Sequence, residues 1–260
     1  MDELYLDSGM ALVVLGAGMK IPLQIEASLS PALLGEFEIV AKELQMTEEA
    51  KPSGDHFLYD AQGLSLVDAE LGTLHLDFVQ DHINYARAAH RGKSELIAKA
   101  VGLAKGHKRV FDATLGLAQD AWFLTQLGAD VEGCERSPVV YLLLKDALQR
   151  SGEFRLKIHY GDSISRLKDL ESLSSVYIDP MFPEKKKSAL PRKEMRIFRK
   201  WVGEDADATL LLQTALSSGA DRVVVKRPLK ALPLQEGVIH SFEGKTVRYD
   251  LYSPVPGRKV

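Results

Sequence analysis

Cysteine is almost missing from this chain: Cys134 is the only one in 260 residues. No internal disulfide can form, and no cysteine-based zinc site either. A reducing compartment fits that composition. Long apolar runs are missing as well. The chain begins Met1-Asp2-Glu3, without the basic segment of a signal peptide, and the uncharged apolar stretch Ser8 to Met19 is too short to span a bilayer. The expectation is a cytoplasmic protein with no membrane partner. There is no internal repeat and no low-complexity tract. Hydrophobic residues at 45% and charged residues at 27% exclude wholesale disorder. At roughly 150 residues per domain, the length suits one large domain or one domain with a small extra module. Such a chain buries a full core without disulfides or a structural metal.

A strong net charge is lacking too, but the value of −3 hides an asymmetry. Residues 1–60 carry 11 acidic side chains against 3 basic ones, so the rest of the chain is net basic. The sharpest basic excess lies at 185–200, where Lys185, Lys186, Lys187, Arg192, Lys193, Arg196, Arg199 and Lys200 face only Glu194. A looser cluster holds Arg87, His90, Arg91 and Lys93. Basic patches on a mildly acidic protein point to an anionic partner met at one face, or to solvated helix faces.

The chain changes character near residue 85. Before it, short β-type runs at 12–15, 57–59, 64–67 and 74–79 accompany a helix opening at Ser30-Pro31, and Asp60-Ala61-Gln62-Gly63 reads as a hairpin turn. This predicts a small α+β module over 1–85. Gly16-Ala17-Gly18 reads as a turn rather than a phosphate loop, because no third glycine follows and Pro22 intervenes. From 86 to 260, short Val-rich and Ile-rich strands alternate with helices. That predicts an α/β domain with a mostly parallel twisted sheet, helices on both faces, and an antiparallel hairpin at the C-terminal end around Gly244-Lys245.

In such a sheet, ligands bind beyond the carboxyl ends of the strands. The first strand is followed by Asp112-Ala113-Thr114-Leu115-Gly116-Leu117-Ala118-Gln119-Asp120. A single glycine, Gly116, does not make a dinucleotide fingerprint, and Asp112 and Asp120 suit a cationic ligand better than a pyrophosphate. Glu135, nineteen residues past Gly116, ends the second strand at the spacing of a ribose-binding carboxylate. Asp162 and Ser163 follow the third, either accepting from an adenine amine or capping the next helix. Three acidic strand ends in succession point to an adenosine-type cofactor with a positive centre, of which S-adenosylmethionine is the obvious candidate. The fourth strand runs into Asp179-Pro180-Met181-Phe182-Pro183. Two prolines fix that loop. Its carboxylate, carbonyl and aromatic face suit a planar group bearing an exocyclic amine.

Asp112–Asp120 resembles motif I of the Rossmann-like S-adenosylmethionine-dependent methyltransferases, and Asp179-Pro180-Met181-Phe182 resembles their amino-group motif, with Met181 in place of a second proline. Longer strings, Glu135-Arg136-Ser137-Pro138, Tyr177 to Pro183, Lys186-Lys187-Ser188-Ala189-Leu190 and Val223-Val224-Val225-Lys226-Arg227-Pro228, are similar to the bacterial small-subunit ribosomal RNA methyltransferase J family over about 86–260. The resemblance implies methyl transfer to the exocyclic N2 of a guanosine in 16S rRNA, with S-adenosylhomocysteine as product and no metal. It implies cofactor contacts from Asp112, Gly116, Gln119, Asp120, Glu135, Arg136, Asp162, Ser163 and Asp179, and catalysis by Asp179, Pro180 and Phe182. RNA contacts are expected from Lys185, Lys186, Lys187, Arg192, Lys193 and Arg196. The chain departs from the family pattern at Gln119, where arginine is usual, and at Asp162, where serine is. Two other readings stay open: the same fold acting on adenine N6 or a protein glutamine amide, and a non-catalytic RNA-binding or assembly factor. The oligomeric state is not readable.

Overall fold

A computed structural model describes residues 5–7, 10–14, 19–40, 44–80, 93–181, 193–202 and 206–253. Gly16-Ala17-Gly18, Phe182, Lys185, Lys186, Lys187 and Arg192 lie outside these. The described chain forms two compact units, each drawing on more than one stretch of sequence.

The first unit comprises Met1–Asp77, Ser137–Gly152 and Lys185–Gly203. Its strands are β1 (Tyr5–Asp7), β2 (Met10–Val14), β3 (Met19–Ile25), β4 (Leu44–Glu48), β5 (His56–Asp60), β6 (Gly63–Asp68) and β7 (Gly72–His75), with helix α1 (Pro31–Val40) between β3 and β4. They form one mixed sheet in the order β1-β2-β4-β3-β5-β6-β7. The predicted turn at 60–63 closes the antiparallel β5–β6 pair, and Ser30 caps α1 by accepting from the Leu33 amide at 3.1 Å. Strand β3 runs through Pro22. Pairing to β5 begins only at Leu23, so the missing proline N–H interrupts no ladder there.

Two later helices, Pro138–Ser151 and Lys193–Val202, belong to this unit; in chain order they are α4 and α6. Helix α4 packs on β6 and α1, and buries Val139 to Leu144 without a break. Its buried Asp146 accepts from the Leu64 amide at 2.9 Å and from Arg150 at 2.8 Å, so the charge enters the interior already partnered.

The second unit carries the alternating pattern. Helix α2 (Lys93–Val101) leads into β8 (Arg109–Asp112), α3 (Gln119–Gln126), β9 (Asp130–Glu135), β10 (Leu156–Tyr160), α5 (Ser163–Asp169), β11 (Ser175–Ile178), α7 (Ala208–Ser217), β12 (Arg222–Pro228), β13 (Val238–Glu243) and β14 (Val247–Tyr252). The sheet order is β10-β9-β8-β11-β12-β14-β13. The first five run parallel, and β14 returns antiparallel to both β12 and β13. This is the predicted mostly parallel sheet with its closing hairpin.

Strand residues alternate between the two faces. Val176, Ile178, Val223 and Val225 join Phe111, Leu167, Leu211 and Leu212 in the core beneath α5 and α7. Ser175, on the opposite face, donates its hydroxyl to the Val101 carbonyl at the end of α2. Tyr177 shares that face, abreast of Asp112 and Val224, and Lys226 lies two residues beyond Val224. The chain runs from β8 outward to β10 and returns to β11 on the other side of β8. The switch point therefore lies between the carboxyl ends of β8 and β11.

Gly133 sits directly opposite Asp112 in the β8–β9 ladder. A Cβ there would come within 2.7 Å of both the Asp112 carbonyl oxygen and Leu115 Cδ1. Backbone cannot yield as a flexible side chain can. Gly133→Ala is therefore expected to cost about 1–3 kcal/mol and to loosen the loop following β8. Urea midpoints measure the first effect and calorimetric cofactor affinity the second. An unchanged midpoint would show that the approach relaxes freely.

Candidate active site

The predicted acidic strand ends come together around the switch point, all within the second unit. The loops after β8 and β11 are tied directly: the Asp179 amide donates to Thr114 Oγ1 at 2.6 Å, and the Ala113 amide donates to the Tyr177 carbonyl at 2.9 Å. The third loop joins through Ser163, whose buried hydroxyl donates to the Ala113 carbonyl at 2.7 Å. Gly161 donates its amide to the Glu135 carbonyl at 3.0 Å, fixing the β10 end against the β9 end. These bonds are backbone-anchored, so the loops hold one arrangement before any ligand arrives.

Charge is organised around one ammonium group. Lys226 Nζ lies 2.8 Å from Asp120 Oδ2 and 2.8 Å from Asp179 Oδ2. Tyr177 donates its hydroxyl to the same Asp120 oxygen at 2.6 Å. Burial pulls the Lys226 ammonium down, but Asp179 and Asp120 outweigh it and hold its pKa well above the usual lysine value. Burial also pushes the Tyr177 hydroxyl well above the ordinary phenol range, aided by the same two carboxylates.

Asp112 behaves differently from its neighbours. It is 2% exposed. Burial, reinforced by the charges of Asp120 and Asp179, pushes its carboxyl up to about 8, against the pull of the Thr114 amide and Lys226. At neutral pH it is mostly protonated. The negative charge of the site therefore comes from Asp120 and Asp179 rather than from Asp112 and Asp120, as the sequence suggested.

The remaining predicted residues separate by what they touch. Glu135 is a buried carboxylate, 4% exposed, at the end of β9. A Cβ built on Gly161, whose φ is +129°, meets nothing within 4 Å, so open space adjoins the end of β10. Asp162 is exposed and caps α5, accepting from the Ser165 amide at 3.0 Å and its hydroxyl at 3.1 Å. Arg136 pairs with Asp207 at 3.0 Å. Gln119 is exposed at the start of α3, Gly116 turns the preceding loop with φ +54°, and Pro180 is buried just past Asp179.

On α6, Lys193 and Arg196 are exposed. Lys200 is engaged elsewhere, at 2.6 Å from both Asp55 and Asp68, and is no part of a free basic face. Thr114, Tyr177 and Lys226 were not singled out as site residues by the sequence reading. Period-two alternation was the available signal: Tyr177 stands two before Asp179, and Lys226 is a charge that follows the apolar run Val223-Val224-Val225.

The residues fit S-adenosylmethionine. Two ionised carboxylates with one lysine leave the site net negative, which suits a cation, and buried Glu135 suits a pair of ribose hydroxyls. Among the described residues no group of three or more His, Cys, Asp and Glu is arranged to hold a metal ion. No helix among them is long and apolar enough to cross a membrane.

The Asp112 carboxyl has a consequence for stability. Because it binds its proton more tightly folded than unfolded, the folded state carries the extra proton between pH 3.8 and about 8, and stability falls as pH rises through that window. Asp112→Asn removes this term. The stability of the variant relative to the parent is expected to rise steadily across the window, as read from urea midpoints. Parallel curves would mean that Asp112 is ionised at neutral pH.

Comparison with known proteins matches this geometry. Residues 39–254 fit the family model described as "Putative SAM-dependent methyltransferase". The chain is 51% identical over 203 residues to the ribosomal RNA small subunit methyltransferase J of Bdellovibrio bacteriovorus, covering 76% of this chain and 81% of that one. It is 39% identical over 247 residues to the protein of the same name from Pseudomonas fluorescens, covering 88% and 94%. A crystal structure of a SAM-dependent methyltransferase from Neisseria gonorrhoeae superposes with a TM-score of 0.72 at 29% identity, covering 91% of this chain and 97% of that one. The fold, the acidic strand ends and these relatives agree: the chain belongs to the ribosomal RNA small subunit methyltransferase J family and is an S-adenosylmethionine-dependent methyltransferase.

Proposed function

We propose that the protein methylates the exocyclic N2 of a specific guanosine in the 16S rRNA of the small ribosomal subunit. The observation that carries this reading is the placement of Asp179. Its amide is held by Thr114 and its carboxylate by Lys226, at the switch point, in a loop whose sequence resembles an amino-group motif, with Met181 in place of the second proline. The names of the curated relatives support the ribosomal substrate. The choice of guanine follows the family resemblance.

The roles divide by position. Glu135 is assigned the ribose and Asp162 the adenine, with Gly116, Gln119, Asp120, Arg136 and Ser163 around them. When bound, S-adenosylmethionine supplies an electrophilic methyl group and leaves as S-adenosylhomocysteine. A guanine amine is a poor nucleophile because its lone pair is delocalised into the ring. Asp179, with the Pro180 carbonyl, accepts the amine hydrogens and turns the lone pair out of conjugation. One amine proton must leave as nitrogen gains the methyl group, and Asp179 passes it to water. Positioning of this kind supplies several kcal/mol. Phe182 is assigned the stacking face, typically worth about 1–3 kcal/mol. Lys185, Lys186, Lys187, Arg192, Lys193 and Arg196 are assigned the phosphates, which are the salt-sensitive part of binding.

The test uses small subunits from a strain lacking the gene. Incubation with the protein and cofactor is expected to place one methyl group on one guanosine, located by mass mapping of the 16S rRNA. A methyl group on adenine or on a ribosomal protein would replace this reading with one of the other amine substrates; no transfer at all would leave a binding factor. Asp179→Asn is expected to lower single-turnover transfer at saturating cofactor by about a hundredfold or more, in line with loss of a positioned proton acceptor. Cofactor affinity, measured separately, should change far less. A near-normal transfer rate would remove Asp179 from the chemistry.

A further inference from the structure

Lys226 enters above only as the group that holds the Asp179 carboxylate, with no share in the chemistry assigned to it. In strand β12, Lys226 follows a run of three apolar residues, Val223, Val224 and Val225, all fully buried. A fourth apolar residue would extend that run without the cost of taking an ammonium group out of water. The ammonium instead stands between Asp120, which the methyltransferase reading places at the cofactor, and Asp179, which it places at the amine.

We propose that Lys226 is a positioning residue: it keeps Asp179 an ionised, oriented hydrogen-bond acceptor beside Asp120, and it trims the cluster to the single negative charge that one sulfonium complements. This deepens the substrate reading above and rests on it. The groups facing Lys226 are Asp120 on α3, Asp179 after β11, Tyr177 on β11 and Tyr249 on β14, with Asp112 of β8 nearby. With Asp112 mostly protonated, Asp120 and Asp179 against Lys226 leave one net negative charge. Without the lysine, two like charges would share the cluster. Neighbouring carboxylates in that position share a proton, since the second ionisation is opposed by the first. A protonated Asp179 is a weaker acceptor for the amine hydrogens and cannot take up the proton that the amine must lose.

The experiment compares Lys226→Met with Lys226→Arg in single-turnover methyl transfer to unmethylated small subunits, at saturating cofactor, from about pH 5 to about pH 8. The parent rate should vary little there. Lys226→Met should be slowed about ninefold near pH 5 and recover most of that deficit by about pH 7, as expected for a carboxylate raised by about two pH units, to near 6. Lys226→Arg, which keeps the charge, should keep the parent's flat profile. Replacing Asp120 by Asn in the Lys226→Met background removes one of the two like charges, and should shift the acid limb back down. If Lys226→Met does not fold, Lys226→Gln takes its place.

A second readout needs no RNA. At about pH 8.5, loss of the lysine should raise the calorimetric preference for S-adenosylmethionine over S-adenosylhomocysteine at least about threefold, because only the former carries the positive centre. The preference should shrink again near pH 6. A deficit equal at every pH, an arginine variant as slow as the methionine variant, or an unmoved cofactor preference would overturn the proposal and leave Lys226 a structural ion pair. A parent protein that binds cofactor but methylates no small-subunit RNA would instead sink the substrate reading, and the cofactor preference alone would then decide the role of Lys226.

Discussion

The site depends on one ammonium group held between two carboxylates. An isolated lysine or aspartate inside a sheet's end would neutralise itself rather than stay charged. Lys226, Asp120 and Asp179 stay charged because each is the others' solvent. Their joint presence fixes three separate parts of the chain: the start of α3, the end of β11 and the end of β12. Tyr177 adds a fourth tie through its hydroxyl. Burial keeps Asp112 mostly protonated at the end of β8, and the charges of Asp120 and Asp179 reinforce it.

The backbone does the rest of the positioning. Parallel strands deliver their carboxyl ends to one edge, and the period of two decides which side chains meet there. Tyr177 and Lys226 share a face because β11 and β12 are in register at Tyr177 and Val224. The loops are then joined by short bonds through Thr114, Ala113 and Ser163. Their donors and acceptors are mostly main-chain groups, and a site built on them is less easily loosened than one built on long side chains.

Much of this was legible in the sequence. The alternation of short apolar runs with helical stretches gave the parallel sheet, and the hairpin at its end followed from Gly244-Lys245 between two β-type runs. Glu135 and Asp179 were legible because each stands at or just past the end of a strand, and Asp120 because it lies in the loop-to-helix segment that follows the first strand of the domain. What escaped was pairwise. Nothing local in Val223-Val224-Val225-Lys226 says that the lysine meets Asp120, which lies 106 residues earlier. The protonation of Asp112 depends on burial and on two distant charges, so composition assigned it a charge that it does not carry at neutral pH. Strand β3 was hidden by Pro22, whose missing N–H looks prohibitive until the register shows that pairing to β5 begins only at Leu23. Lys200 looked like one more cation of a basic helix until Asp55 and Asp68 claimed it.

The composition of the first unit bears on how the chain folds as it is made. Its sheet is complete once Asp77 has been synthesised, but the helices packed on β6 and β7 come from Pro138–Ser151 and Lys193–Val202. At ribosomal elongation rates, on the order of 6–25 s separate the last strand from the last helix. During that interval Leu64, Leu66 and Leu74 await part of their burial, and the nascent sheet has an apolar surface with no permanent cover. A chaperone that shields exposed β-sheet on the emerging chain would therefore matter more to this protein than to one whose first domain closes on itself, and truncation after the seventh strand should yield an aggregating fragment rather than a free-standing module.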